Sequence, residues 1–145
     1  MVEIGFHTPD HLIRLGPTID VYVGFDPEYK FNQKNPTNPN LPTINNKALI
    51  DTGGSCIDST VALTLNLPII NEQSVAGAHG AGKVNVHLAQ IYIPALNFTL
   101  YKAFFGVHLI AGGQPHHALL GRDFLLYMNM DYKGNTGSVT LSRNS

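Results

Sequence analysis

The apolar run Ala48-Leu49-Ile50 leads without a break into Asp51-Thr52-Gly53-Gly54-Ser55. Three apolar residues stopped by a glycine pair predict a buried strand that breaks into a tight turn. Asp51 is the residue that needs a reason. A carboxylate at the end of a buried strand is costly unless it is paired, hydrogen-bonded or protonated. Two uses of Asp-x-Gly satisfy that condition: an Asx-turn that closes the strand, or an acid kept for chemistry.

A second segment has the same shape. Ala118-Leu119-Leu120 runs into Gly121-Arg122-Asp123-Phe124-Leu125, about seventy residues downstream. Asp-Thr-Gly at the end of one apolar strand, followed later by Leu-Leu-Gly-Arg-Asp-Phe-Leu, resembles the retropepsin family of aspartic proteases. The resemblance covers roughly residues 18–141, with a gap at 26–46. It implies an all-β fold with one or two short helices, a closed acid-protease barrel in which the two apolar-Gly segments cross. It also implies that Asp51 is catalytic.

The chain's 145 residues suffice for one domain, spanning 1–145, with a real core. Only 13% of the residues are charged, about half the usual fraction, which suggests that some surface is covered by a second copy. A net charge of −1 without a Lys/Arg cluster argues against a nucleic-acid partner. No apolar stretch approaches the roughly 18 residues of a membrane span. Residues 1–7 lack the basic and apolar regions of a secretory leader, so a cytoplasmic protein with no membrane partner is expected. Cys56 is the single cysteine, which excludes an internal disulfide and both common zinc patterns.

In chain order, residues 1–14 show no clear periodicity and suggest an arm or a short edge strand. Residues 18–24 alternate and stop at Gly24, a half-buried strand. Pro27, Pro36, Pro39 and Pro42 then sit among asparagines, so residues 25–46 predict a long inserted loop. Retropepsins have a tight hairpin at that point. Asp58 or Ser59 is a plausible N-cap for the segment that Pro68 closes, which reads as a helix of at most two turns or as an irregular strand pair. Residues 74–94 predict a β-hairpin around a glycine-rich tip, with a bulge or register change near Ala89-Gln90 where alternation slips. Residues 91–94, 98–101 and 103–110 predict three further strands, and 111–115 a turn. A short helix over 124–127 and a last hairpin from 128–132 and 138–141 complete the chain.

Carboxylate-driven peptide hydrolysis needs two acids, one to take a proton from water and one to donate a hydrogen bond to the carbonyl. There is one Asp-Thr-Gly here, so an active enzyme must bring Asp51 from each of two subunits to a two-fold axis. The expected partners are therefore a second copy and a peptide or protein substrate, with no cofactor and no metal. By resemblance, Thr52 supports its counterpart across the axis, and Gly53 admits close backbone approach to the substrate. Gly54 and the hairpin tip, Gly77, Ala78, His79, Gly80 and Ala81, form the expected substrate-binding surface, with the hairpin acting as a flap. His79 has no chemical role of its own in that reading. The other reading is a non-catalytic dimeric module that keeps the fold for protein binding.

Two departures from the family pattern stand out. Viral retropepsins carry an acid where Ser55 stands, and it pairs with the arginine that Arg122 resembles; Asp58 or Asp123 could take its place. The terminal segments match poorly, and by resemblance residues 138–141 would supply part of the dimer contact. Competing motifs fall away. Gly77-x4-Gly82-Lys83 begins like a phosphate loop, but Val84 replaces the magnesium-binding hydroxyl and a strand follows instead of a helix. His116 and His117 are adjacent, which on a strand points them to opposite faces. Cys56 is expected to be a small buried apolar residue, not a nucleophile.

Overall fold

A computed structural model describes residues 2–3, 8–30, 37–77 and 80–144. It contains 47% strand and 16% helix, which bears out the mostly β expectation. In chain order the elements are β1 (Val2–Glu3), α1 (Pro9–Leu15), β2 (Thr18–Gly24), β3 (Asn46–Ile50), β4 (Cys56–Asp58) and α2 (Ser59–Thr64). They continue with β5 (Ile69–Gly77), β6 (Gly80–Ile93), a 3-10 turn (Pro94–Leu96), β7 (Phe98–Val107), β8 (Ala118–Leu120), α3 (Arg122–Leu125), β9 (Met128–Lys133) and β10 (Ser138–Arg143).

Six strands close a barrel in the order β2-β3-β8-β4-β7-β6, and β6 returns to β2. Closure works because β2 changes partner along its length. Thr18 to Val21 pair with β3, and Tyr22 to Gly24 pair with β6. The ring leaves none of these six strands as an exposed edge along its whole length. β5 lies outside the ring, paired to the outer part of β6 as a hairpin. Beside the barrel sits a three-stranded sheet, β1-β10-β9. Alternate residues of the strands fill one core, with Val21, Ala48, Ile57, Ile91, Phe104, Leu120 and Leu141 in the same cluster as Phe124 of α3.

Several expectations need correction. Residues 9–15 form a helix, not an arm. Thr8 caps it by accepting from the His11 N–H at 3.4 Å, Pro9 opens it, and Gly16 closes it at φ 71° with its N–H bonded to the Leu12 carbonyl. Leu12 alone is buried, so no apolar periodicity marks the helix. The bulge or register change expected near Ala89-Gln90 is absent: β6 pairs with β7 in unbroken register from Val86↔Phe105 to Ile93↔Phe98. The irregularity lies instead in β5, between Ile69 and Asn71.

Alternation slips at Gln90 because the loop after β2 covers the outer face there. Gln90 is buried, accepts from the Asp26 N–H at 2.6 Å and donates to the Asp26 carbonyl at 3.1 Å. The expected strands over 98–101 and 103–110 are one strand, β7, which stops at Val107. The β2–β3 connection has no helix or strand among its described residues. It is pinned to the barrel by Asp26, whose carboxylate accepts from Glu28 and Asn40, and by contact of the Tyr29 and Phe25 rings with Tyr101.

Candidate functional site

β3 and β8 run side by side and parallel, in the register Ala48↔Ala118, Leu49↔Leu119 and Ile50↔Leu120. Short apolar runs suit this position, because both strands lie within the barrel wall. The pairing carries one residue further, with the Asp51 N–H donating to the Leu120 carbonyl at 2.9 Å. The two turns that follow then meet. The Arg122 N–H donates to the Gly53 carbonyl at 2.9 Å. At Gly121 an added Cβ would lie 2.0 Å from Gly53 O and 2.7 Å from Gly54 C. Only glycine allows the backbones to pass this closely. The two apolar-Gly segments singled out in the sequence are therefore in direct contact.

Asp51, Thr52, Gly53 and Gly54 are all exposed. Asp51 Oδ1 accepts from the Gly53 N–H at 3.2 Å, an Asx-type contact within its own turn. Among the described residues, no cation pairs with it. The barrel thus holds the Asp51 turn rigidly through its backbone while leaving the carboxylate at the surface. Gly53 has room for a side chain, since its nearest neighbour for an added Cβ is Asp51 Oδ1 at 3.9 Å.

Two other acids are committed to structure. Asp58 is fully buried at the end of β4. One of its oxygens caps α2 through the Thr60 and Val61 N–H groups, and the other accepts from Leu109 and Ile110, each at 3.0 Å. Asp123 accepts from the Ser55 hydroxyl and forms an ion pair with Lys102. Burial alone would push its carboxyl up, but the Lys102 and Ser55 hydrogen bonds outweigh it and hold it below the usual value. Ser55, itself buried, also accepts from the Gly121 N–H at 2.8 Å. A Ser55–Asp123–Lys102 chain therefore ties the Asp51 loop to α3 and β7. Neither Asp58 nor Asp123 pairs with Arg122, whose side chain is exposed and makes no ion pair among the described residues.

Sequence reasoning missed Lys102 and Gln90. Both sit on long strands with no local pattern, and only the tertiary neighbours Asp123 and Asp26 give them a role. The hairpin exists as β5 and β6, with Gly77 opposite Gly80 and Ala76 opposite Ala81. Ala78 and His79 at its tip lie outside the described residues. The hydrogen bonds that build the Asp51 turn come from β8 and α3, and none from the described part of the hairpin.

Cys56 is buried, and burial first, with Asp51 and Asp58 adding to it, pushes its thiol up to about 11. His116 and His117 face different partners: the His116 Nε2 contacts the Leu15 carbonyl at 3.0 Å, and the His117 Nδ1 accepts from the Lys47 N–H at 2.9 Å. β10 lies between β1 and β9, with Val139 and Leu141 buried. On one side β1 covers only Thr140 and Leu141, and on the other β9 pairs along the whole of Ser138–Arg143. No protein-family model matches this sequence, and no curated protein is significantly similar to it.

Proposed function

We propose that this chain is an aspartic endopeptidase of retropepsin type, active as a homodimer that pairs Asp51 of one protomer with Asp51 of its partner. The supporting observation is that Asp51 is an uncommitted acid on a rigid mount. Asp58 and Asp123 spend their oxygens on caps and an ion pair, whereas Asp51 makes one bond within its own turn and faces solvent. Backbone hydrogen bonds to β8 and α3 hold that turn, and neither needs the carboxylate.

In the dimer, two carboxylates about 3 Å apart share one proton, because both cannot ionise at that separation. The ionised carboxylate takes a proton from water as its oxygen attacks the scissile carbonyl. The protonated one donates to the carbonyl oxygen. Collapse of the tetrahedral intermediate breaks the C–N bond, with a carboxyl proton passing to the leaving amine. The β5–β6 hairpin serves as the flap over the substrate, and Gly54, next to the Asp51 turn, contributes to the substrate-binding surface. The single chain supplies only one such acid, so the second copy is part of the site.

The test is peptide hydrolysis below neutral pH by wild type and Asp51→Asn. The variant keeps the fold and, in the proposed reading, loses all turnover while still binding substrate peptides. Proteolysis by Asp51→Asn comparable to wild type would exclude the assignment. A wild-type chain that binds peptides without cleaving any, at any pH, would point to the binding module instead.

A further inference from the structure

We propose that a cleft at the root of the β5–β6 hairpin is a second site, which binds a divalent transition-metal ion through His87 and His108. The proposal is independent of Asp51 and of the peptidase reading. β6 leaves β7 to pair with β5, and near that fork a cleft of about 560 Å³ opens. Ser59, Thr60 and Leu63 line one part of it, and Glu72, Lys83 and Asn85 another.

His87 lines the cleft while only 2% exposed. Its Nδ1 lies 3.2 Å from the Leu67 carbonyl oxygen. A carbonyl can only accept, so Nδ1 carries the proton and a neutral ring keeps its lone pair on Nε2. Nε2 has no hydrogen-bond partner among the described residues. It lies beside Gly106, where an added Cβ would stand 3.0 Å away, and Gly106 lines the same cleft. The Nε2–Cδ2 edge of the ring therefore packs over Gly106, where a side chain would collide with it.

His108 follows Gly106 by two residues and lines the cleft as well. Its Nδ1 is 2.6 Å from Ser59 Oγ, which again leaves Nε2 as the open nitrogen. Both rings are thus oriented through Nδ1 by an oxygen partner, the arrangement that fixes metal-bound histidines. Imidazole nitrogen favours zinc, copper and nickel over calcium or magnesium. Among the described residues no third His, Cys or carboxylate completes a cluster with them. Glu72 on the wall pairs with Lys83 at 3.6 Å. The bound ion would keep water on its remaining positions, so the site is open and weaker than a four-ligand structural centre.

Calorimetric titration of the full chain with Zn²⁺ tests the proposal. It predicts one ion per chain, with affinity reduced tenfold or more in His108→Ala and in His87→Gln, and unchanged in the control His11→Ala. His108 is exposed, so its variant decides the question even if His87→Gln fails to fold. Absence of Zn²⁺ binding by wild type, unchanged affinity in His108→Ala, or an equal loss in His11→Ala would each overturn the site.

Discussion

Gly121→Ala puts the crossing of the two apolar-Gly segments to a quantitative test. The new Cβ would stand 2.0 Å from Gly53 O and 2.9 Å from Gly53 C, both backbone atoms that cannot rotate away. The two turns must part by about 1 Å, a shift comparable to other overpacked sites that cost about 1–3 kcal/mol. That movement breaks the Arg122 N–H to Gly53 carbonyl bond, worth about 1 kcal/mol, and stretches the buried Gly121 N–H away from Ser55 Oγ. Together these give about 3–5 kcal/mol, a large share of the 5–15 kcal/mol that typically holds a domain folded. At about 2–4 °C per kcal/mol the melting temperature falls by about 6–20 °C. Gly54→Ala is the control, since nothing lies within 4 Å of its added Cβ, and it should change stability by less than about 0.5 kcal/mol. Urea unfolding followed by circular dichroism measures both. Stability of Gly121→Ala within 0.5 kcal/mol of wild type, or equal damage from the two variants, would refute the close crossing.

The same site makes other predictions. Asp58→Ala strips acceptors from four backbone N–H groups, two of them at the α2 cap, and should cost about 3 kcal/mol or more in urea unfolding. A loss below about 0.5 kcal/mol would contradict its role. Asp123 is held below its ordinary value of 3.8 in the folded state, so its stabilising contribution is complete above that value and is lost as pH falls through the lower folded value. The stability gap between wild type and Asp123→Asn should therefore close on acidification below about pH 3.8; a gap that stays constant from pH 7 to pH 2 would show that the carboxylate is not stabilised by its partners. Burial and nearby carboxylates raise the Cys56 thiol to about 11, so iodoacetamide at pH 8 should label unfolded chain much faster than folded chain. Equal rates would place the thiol at the surface.

The crossing was legible because it is local in pattern: two three-residue apolar runs, each followed closely by glycine, need no tertiary information to be seen. α1 carried its own punctuation in Thr8, Pro9, Asp10, Arg14 and Gly16, yet buries one residue and leaves Ile13 exposed, so the hydrophobic period that marks most helices is missing. Gln90 disturbed the alternation of β6 because a loop 64 residues earlier covers its outer face, a fact no window along β6 contains. Asp58 showed its helix cap in sequence, but its second oxygen serves Leu109 and Ile110, about fifty residues away. Ser55 stood out as a departure from the family pattern. Lys102, which completes the link through Asp123, lies on a strand where one lysine among apolar neighbours carries no signal.

Mixed dimers test the central proposal most directly, because two Asp51 carboxylates from two chains must act together. At fixed total chain concentration, wild type is mixed and re-equilibrated with increasing Asp51→Asn, and peptide hydrolysis is followed below neutral pH. Random pairing makes the active population the square of the wild-type fraction, so an equal mixture should retain about one quarter of the activity of undiluted wild type. Activity that falls in simple proportion to the wild-type fraction, leaving about one half, would mean that each chain works alone and would contradict the shared site.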